Sequence, residues 1–209
     1  MKIIAYQYFL CVMSLVLMLS GCGSRVTGWW KKTFDQGEKV SVPIEVVRRQ
    51  IKTLRLYKEF TTRGIFDVLW LSDGVRRTYA QMYAHKHGFS DAAFRAFENE
   101  QLALNTHHLV FYVLAYQQQP PAKIKILNAN DSWWSAYVEF AGQMYQPSAI
   151  CVVDLPVEYR ILFGKRFNRY QTYYQVTFAV PNARELVSRG NALHITLSAA
   201  QRKGTLVFG

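Results

Sequence analysis

The chain has 209 residues, half of them apolar and 15% aromatic, which excludes a disordered or low-complexity protein and gives a globular one. Its formal net charge of +11 makes an anionic surface or polymer the natural counterpart. No G-x-S-x-G, G-x-G-x-x-G or H-E-x-x-H motif occurs, so the familiar hydrolase, dinucleotide and zinc-protease signatures are excluded.

Residues 1–21 carry the three parts of an export signal: Lys2, an apolar core from Phe9 to Leu19, and the small residues Ser20 and Gly21. A membrane-spanning helix competes with that reading. Spanning takes about 20 predominantly apolar residues, and here Gln7 interrupts the run while Gly21, Gly23 and Gly28 follow it. The run Leu19-Ser20-Gly21-Cys22 resembles the lipobox of bacterial lipoproteins. That resemblance implies a diacylglycerol on the Cys22 thiol and removal of everything before it. Each buried methylene contributes roughly 0.8 kcal/mol, so two or three chains hold a protein on a bilayer almost permanently. In lipoproteins of two-membrane bacteria, Asp after the Cys tends to retain the protein in the inner membrane. Residue 23 is Gly, which by the same resemblance implies the outer membrane.

Loss of residues 1–21 leaves 188 of the 209 residues and, with Lys2 gone, a charge of +10. In a cytoplasmic protein such a charge suggests nucleic acid. An exported, anchored chain meets anionic headgroups, lipopolysaccharide, wall polymers or an envelope protein instead, and nucleic acid drops out. The bland alternative is scattered solubilising charge. Cys11 leaves with the signal and Cys22 carries lipid, so Cys151 is the last thiol and no intrachain disulfide is possible. Its apolar run, Ala149-Ile150-Cys151-Val152-Val153, predicts a buried small hydrophobe.

Residues 22–42 read as the lipidated Cys and a tether. Within them, Trp29, Trp30, Lys31 and Lys32 either rest at the membrane–water boundary, which Trp and Lys favour, or begin the packing of the domain. Residues 43–209 read as one domain. Lys52–Phe60 alternates, with Leu54, Leu56 and Phe60 on one face; residues 61–64 read as a turn; Ile65–Leu71 is a second strand. Asp73 can cap a helix with Val75, Tyr79, Met82 and Tyr83 on its apolar face, ended by Gly88 after His85, Lys86 and His87. Ser90 caps a second helix that fades near Asn105. This helical hairpin, at about 73–105, is expected to cover an edge or an open end of the sheets. Leu109–Tyr116, apolar on both faces, is a central strand, and residues 117–122 form a polar, Pro-rich loop. Further strands follow at Lys123–Leu127, Trp134–Ala141, Ile150–Val153 (short and buried), Tyr173–Val180, Ala192–Ser198 and Thr205–Phe208. Eight or nine such strands predict a mainly β fold: a two-sheet antiparallel β-sandwich with an inserted helical hairpin.

Several of these features together resemble an uncharacterised group of bacterial envelope lipoproteins. They are the lipobox, an early strand pair, the helix start Arg76-Arg77-Thr78-Tyr79, a Trp-containing strand, Pro147, the aromatic and basic stretch from Tyr159 to Tyr170, and Tyr174-Gln175-Val176-Thr177-Phe178. The likeness implies an anchored all-β domain and no particular activity. Leu56-Tyr57 followed by Phe66-Asp67-Val68-Leu69-Trp70 is similar, more weakly, to the outer-membrane lipoprotein of type VI secretion systems. That likeness implies a β-sandwich with inserted helices that binds an inner-membrane partner.

His85 and His87 are two apart on a helix and do not share a face. His107 and His108 point to opposite sides of a strand start, and no Cys or acid stands at zinc-like spacing. No metal and no cofactor are expected. In the stretch from Tyr159 to Tyr170, the cations Arg160, Lys165, Arg166 and Arg169 alternate with aromatic and branched residues. Arg forks suit phosphate, and aromatic faces suit sugar rings or acyl chains. The stretch either contacts an anionic envelope polymer or partner, or is a connection whose rings dip into the core while its charges stay wet. The function expected is a non-catalytic binding or scaffolding module of the envelope. The alternatives are a secretion-system accessory lipoprotein and an envelope polymer hydrolase, the latter requiring paired carboxylates brought together in space.

Overall fold

A computed structural model describes residues 44–58, 61–117, 125–127, 132–199 and 202–209. The expected signal, Cys22, and Trp29, Trp30, Lys31 and Lys32 of the expected tether lie outside the described residues, as does the Pro-rich stretch 118–124. Val42–Gly209 forms one compact unit.

Among the described residues, ten strands pair into two sheets. The first sheet has the order β1-β2-β3-β8-β7: β1 Lys52–Lys58, β2 Thr61–Trp70, β3 His108–Gln117, β8 Thr172–Ala179 and β7 Ala149–Val152. The second has the order β10-β9-β5-β4, with β6 also beside β5: β10 Arg202–Phe208, β9 Leu193–Ala199, β5 Ser132–Phe140, β4 Lys125–Leu127 and β6 Gln143–Tyr145. Every pairing is antiparallel except that of β4 with β5. The protein is a mainly β, two-sheet sandwich.

Period-two alternation dictates the core. Phe66, Val68, Phe111, Val113, Tyr174, Val176 and Phe178 of the first sheet face Trp134, Val138, Phe140, Leu193, Ile195 and Leu197 of the second. The sandwich edges meet where Lys52 donates to the Val207 carbonyl and sits 5.2 Å over the Phe208 ring. There Gly204 leaves room for Leu54: a Cβ would lie 2.5 Å from Leu54 Cδ1. β5 turns into β6 through Ala141 and Gly142, both at positive φ (50° and 75°), the twist a two-residue hairpin needs.

The opposite face of the first sheet carries a second core. Leu69, Leu71, Val110, Tyr112 and Leu114 point outward and meet α1 Ile44–Gln50, α2 Asp73–His87 and α4 Val157–Phe163 through Val47, Val75, Tyr159, Leu162 and Phe163. β3 is therefore covered on both faces, as its unbroken apolar run predicts. The helical hairpin, α2 with α3 Asp91–Ala103, enters between β2 and β3. Through α2 it lies over this outer face, where Val75 and Tyr79 find apolar partners. α3 packs on α2, with the Phe97 ring 4.9 Å from Tyr83.

Four local expectations need correction. Residues 61–64 belong to β2, since Thr61, Thr62 and Gly64 pair with β1 across a bulge at Leu56/Tyr57. Ser72, not Asp73, caps α2, its hydroxyl accepting from the Val75 N–H. The Asp73 carboxylate is engaged by Asn105 Nδ2 at 2.9 Å and Arg184 Nε at 3.0 Å. Cys151 is exposed: β7 is an edge strand, and Cys151 faces outward beside its register partner Gln175, beyond the apolar patch that the helices cover. The stretch from Tyr159 onward is also no plain connection. It forms α4, a 3-10 turn Gly164–Arg166 and a tight loop before β8. The remaining helix, α5 Ala183–Ser188, follows β8. Gly88 ends α2 in the left-handed conformation (φ 63°), and Ser90 caps α3 by accepting from Ala93, both as read from sequence.

Candidate anion-binding groove

The outward row of the first sheet continues past its apolar patch into polar residues. Register places Arg55 opposite Ile65 and Ile65 opposite Tyr116; Thr53 lies opposite Asp67. The chain leaving α4 swings over this row. Its path is fixed from within: Phe167 stacks on Tyr173 at 4.9 Å, Asn168 Oδ1 accepts from the Tyr170 N–H at 2.9 Å, and the Tyr173 hydroxyl donates to the Asn168 carbonyl at 2.6 Å. Burial raises the Tyr173 pKa, so its hydroxyl stays a donor.

Between sheet and loop lies an open groove of about 460 Å³. Arg55, Lys165 and Arg166 bring three cations to it, Tyr116 and Tyr170 bring two rings, and Asp67 brings one carboxylate. Asp67 is buried in the groove floor. It accepts from Thr53 Oγ1 at 2.5 Å and Gln171 Nε2 at 3.4 Å, with Arg166 Nε 3.7 Å away. Thr53 and Gln171 bond the carboxylate, and Arg166 pairs with it loosely through Nε while its side chain stays about two-fifths exposed. Lys165 is exposed and has no ion-pair partner among the described residues.

Of the four cations singled out in the sequence, the fold brings Lys165 and Arg166 together and sets the other two apart. Arg160 is spent internally: it pairs with Asp154 at 2.5 Å, donates to the Leu155 carbonyl at 2.8 Å and lies 5.4 Å over the Phe167 ring. Arg169 lies outside the groove lining, folded onto Tyr170 with Nη2 donating to the hydroxyl at 2.8 Å. Tyr159, Leu162 and Phe163 dip into the core. Rings of the stretch thus dip into the core as the connection reading expects, while Lys165 and Arg166 line an open groove. Sequence reasoning missed Arg55, Asp67 and Tyr116. Their only signal was a place on the polar side of an alternating strand, which does not tell what crosses above.

Among the described residues, no group of three or more His, Cys, Asp or Glu side chains comes together as a metal site.

A scan of protein families finds no model that matches this chain, and no curated protein matches it. Among solved structures, it is similar to a novel protein of unknown function from Burkholderia pseudomallei, at 8% identity over 81% of this chain and 83% of that one, with a TM-score of 0.39.

Proposed function

We propose that the protein is a lipid-anchored lipoprotein of the bacterial envelope, held by acyl chains on Cys22. In this reading the sandwich works without catalysis as a binding module for anionic envelope components, at the periplasmic side or surface of the outer membrane. One observation carries the binding role: Arg55, Lys165 and Arg166 converge on one open groove with Tyr116 and Tyr170 beside them. Arg forks and a Lys ammonium suit phosphate-bearing glycolipid or polymer, and aromatic faces suit sugar rings. Among the described residues, Asp67 is the sole carboxylate lining the groove. That pattern favours holding an anion over the two acids that glycoside hydrolysis uses.

The test is binding of the chain from residue 22 onward with Cys22→Ser, which takes no acyl chain, to vesicles with and without lipopolysaccharide. Each basic residue near an anionic surface contributes about 1 kcal/mol, so replacing Arg55, Lys165 and Arg166 by Gln is expected to weaken binding about a hundredfold. Replacing Arg160 and Arg169 by Gln is expected to leave it within about threefold. Equal losses in the two variants would show that diffuse charge, not the groove, binds the vesicle.

A further inference from the structure

Arg76 sits one turn into α2 and is 4% exposed. Its Nε donates to Asn105 Oδ1 at 2.7 Å and its Nη1 to Gln101 Oε1 at 3.4 Å. Both acceptors are neutral amides. Asp73, on the same turn, is engaged by Asn105 and Arg184. No carboxylate forms an ion pair with Arg76 among the described residues. Asp73 attracts Arg76 through space and shares Asn105 with it, but a buried cation normally has an anion in direct contact, because burial without one is costly.

The guanidinium borders a hollow of about 270 Å³ between α2, β3, β8 and α4. That volume lies just below the ~300 Å³ at which drug-sized ligand pockets begin, so only a small ligand fits. Three tyrosines line it: Tyr79 stacks on Tyr159 at 4.5 Å, and Tyr112 meets Tyr159 edge-on at 4.8 Å. Gln101 and Gln175 supply polar lining.

We propose that this hollow is a binding pocket for a small monocarboxylate with an apolar body. Arg76 takes the carboxylate through the N–H donors its amide partners leave over, and the tyrosine rings hold the body. Arg76 is the one guanidinium on the described lining, with the His108 imidazole also on it; that guanidinium matches one negative charge, whereas a phosphate dianion exceeds it. The pocket has a different lining from the groove at Lys165 and Arg166.

The test is thermal unfolding of the full chain in detergent with benzoate, phenylacetate or phenyl phosphate, against chloride at equal ionic strength. Benzoate or phenylacetate at about 10 mM is expected to raise the midpoint by roughly 2–4 °C, and phenyl phosphate by less. Gln101→Glu keeps the size and the hydrogen bond but supplies an internal counter-ion. It is expected to raise the ligand-free midpoint and weaken the carboxylate response at least tenfold. If that variant fails to fold, Leu104→Phe, at a half-exposed position of the pocket wall, is expected to weaken the same response. The groove variant lacking Arg55, Lys165 and Arg166 is expected to respond as the native chain does. No response from the native chain, an undiminished one in Gln101→Glu or Leu104→Phe, a stronger one to phenyl phosphate, or a response lost in the groove variant would each overturn the assignment.

Discussion

Tyr159 is 2% exposed and sits between the rings of Tyr79 and Tyr112. Burial raises the pKa of all three phenols, that of Tyr79 to about 12, and outweighs the opposing pull of Arg76 on Tyr112 and Tyr159. An unfolded phenol titrates near about 10. Above that pH the unfolded chain has released protons that the folded chain still holds, so folding loses stability as pH rises. The thermal midpoint is expected to be level between about pH 8 and 9.5 and to fall above about pH 10. Tyr159→Phe should flatten the fall. A midpoint unchanged up to about pH 11.5 in circular-dichroism melts would contradict it. Single residues were legible in sequence where their role is local. Ser90 and Gly88 act within one turn of chain, and both do what their residue types suit them for. Cys151 was not legible, because its apolar neighbours fit an edge strand as well as a buried one.

At the level of elements, long periodic segments declared themselves. β3, β5, β8 and β9 follow from alternation or unbroken apolar runs, and α2 and α3 from caps and spacing. α1, α5 and β6 span seven, six and three residues, too few for a period to emerge, and their contacts in the fold decide them. α4 was hidden because its apolar residues were read as aromatic alternation. Its attachment to α2 rests on more than apolar contact. Glu158, 3% exposed, receives Lys86 Nζ at 3.0 Å. Lys86→Met keeps the stem and removes the charge, leaving a buried carboxylate without that partner. A loss of about 1–3 kcal/mol in denaturant unfolding is expected. Stability unchanged within about 0.3 kcal/mol would mean that water satisfies Glu158 and that the clasp contributes nothing.

For the molecule as a whole, the sandwich was readable because a two-sheet core needs inward residues at every second position, and the chain supplies them. The helical layer was half readable. Its insertion between β2 and β3 follows from chain order, but its seat on the sheet face depends on Leu69, Val110, Tyr112 and Leu114 pointing away from the other sheet. The groove was half readable for the same kind of reason. Lys165 and Arg166 stand together in sequence, while Arg55, Asp67 and Tyr116 join them only through strand register. What such a groove meets depends on where the domain is held, and under the proposed function Cys22 decides that. Intact mass of the protein purified from membranes of its native host tests this most directly. The account predicts a chain that begins at Cys22 and carries the added mass of a diacylglycerol. A chain that retains residues 1–21, or begins at Cys22 with an unmodified thiol, would contradict it.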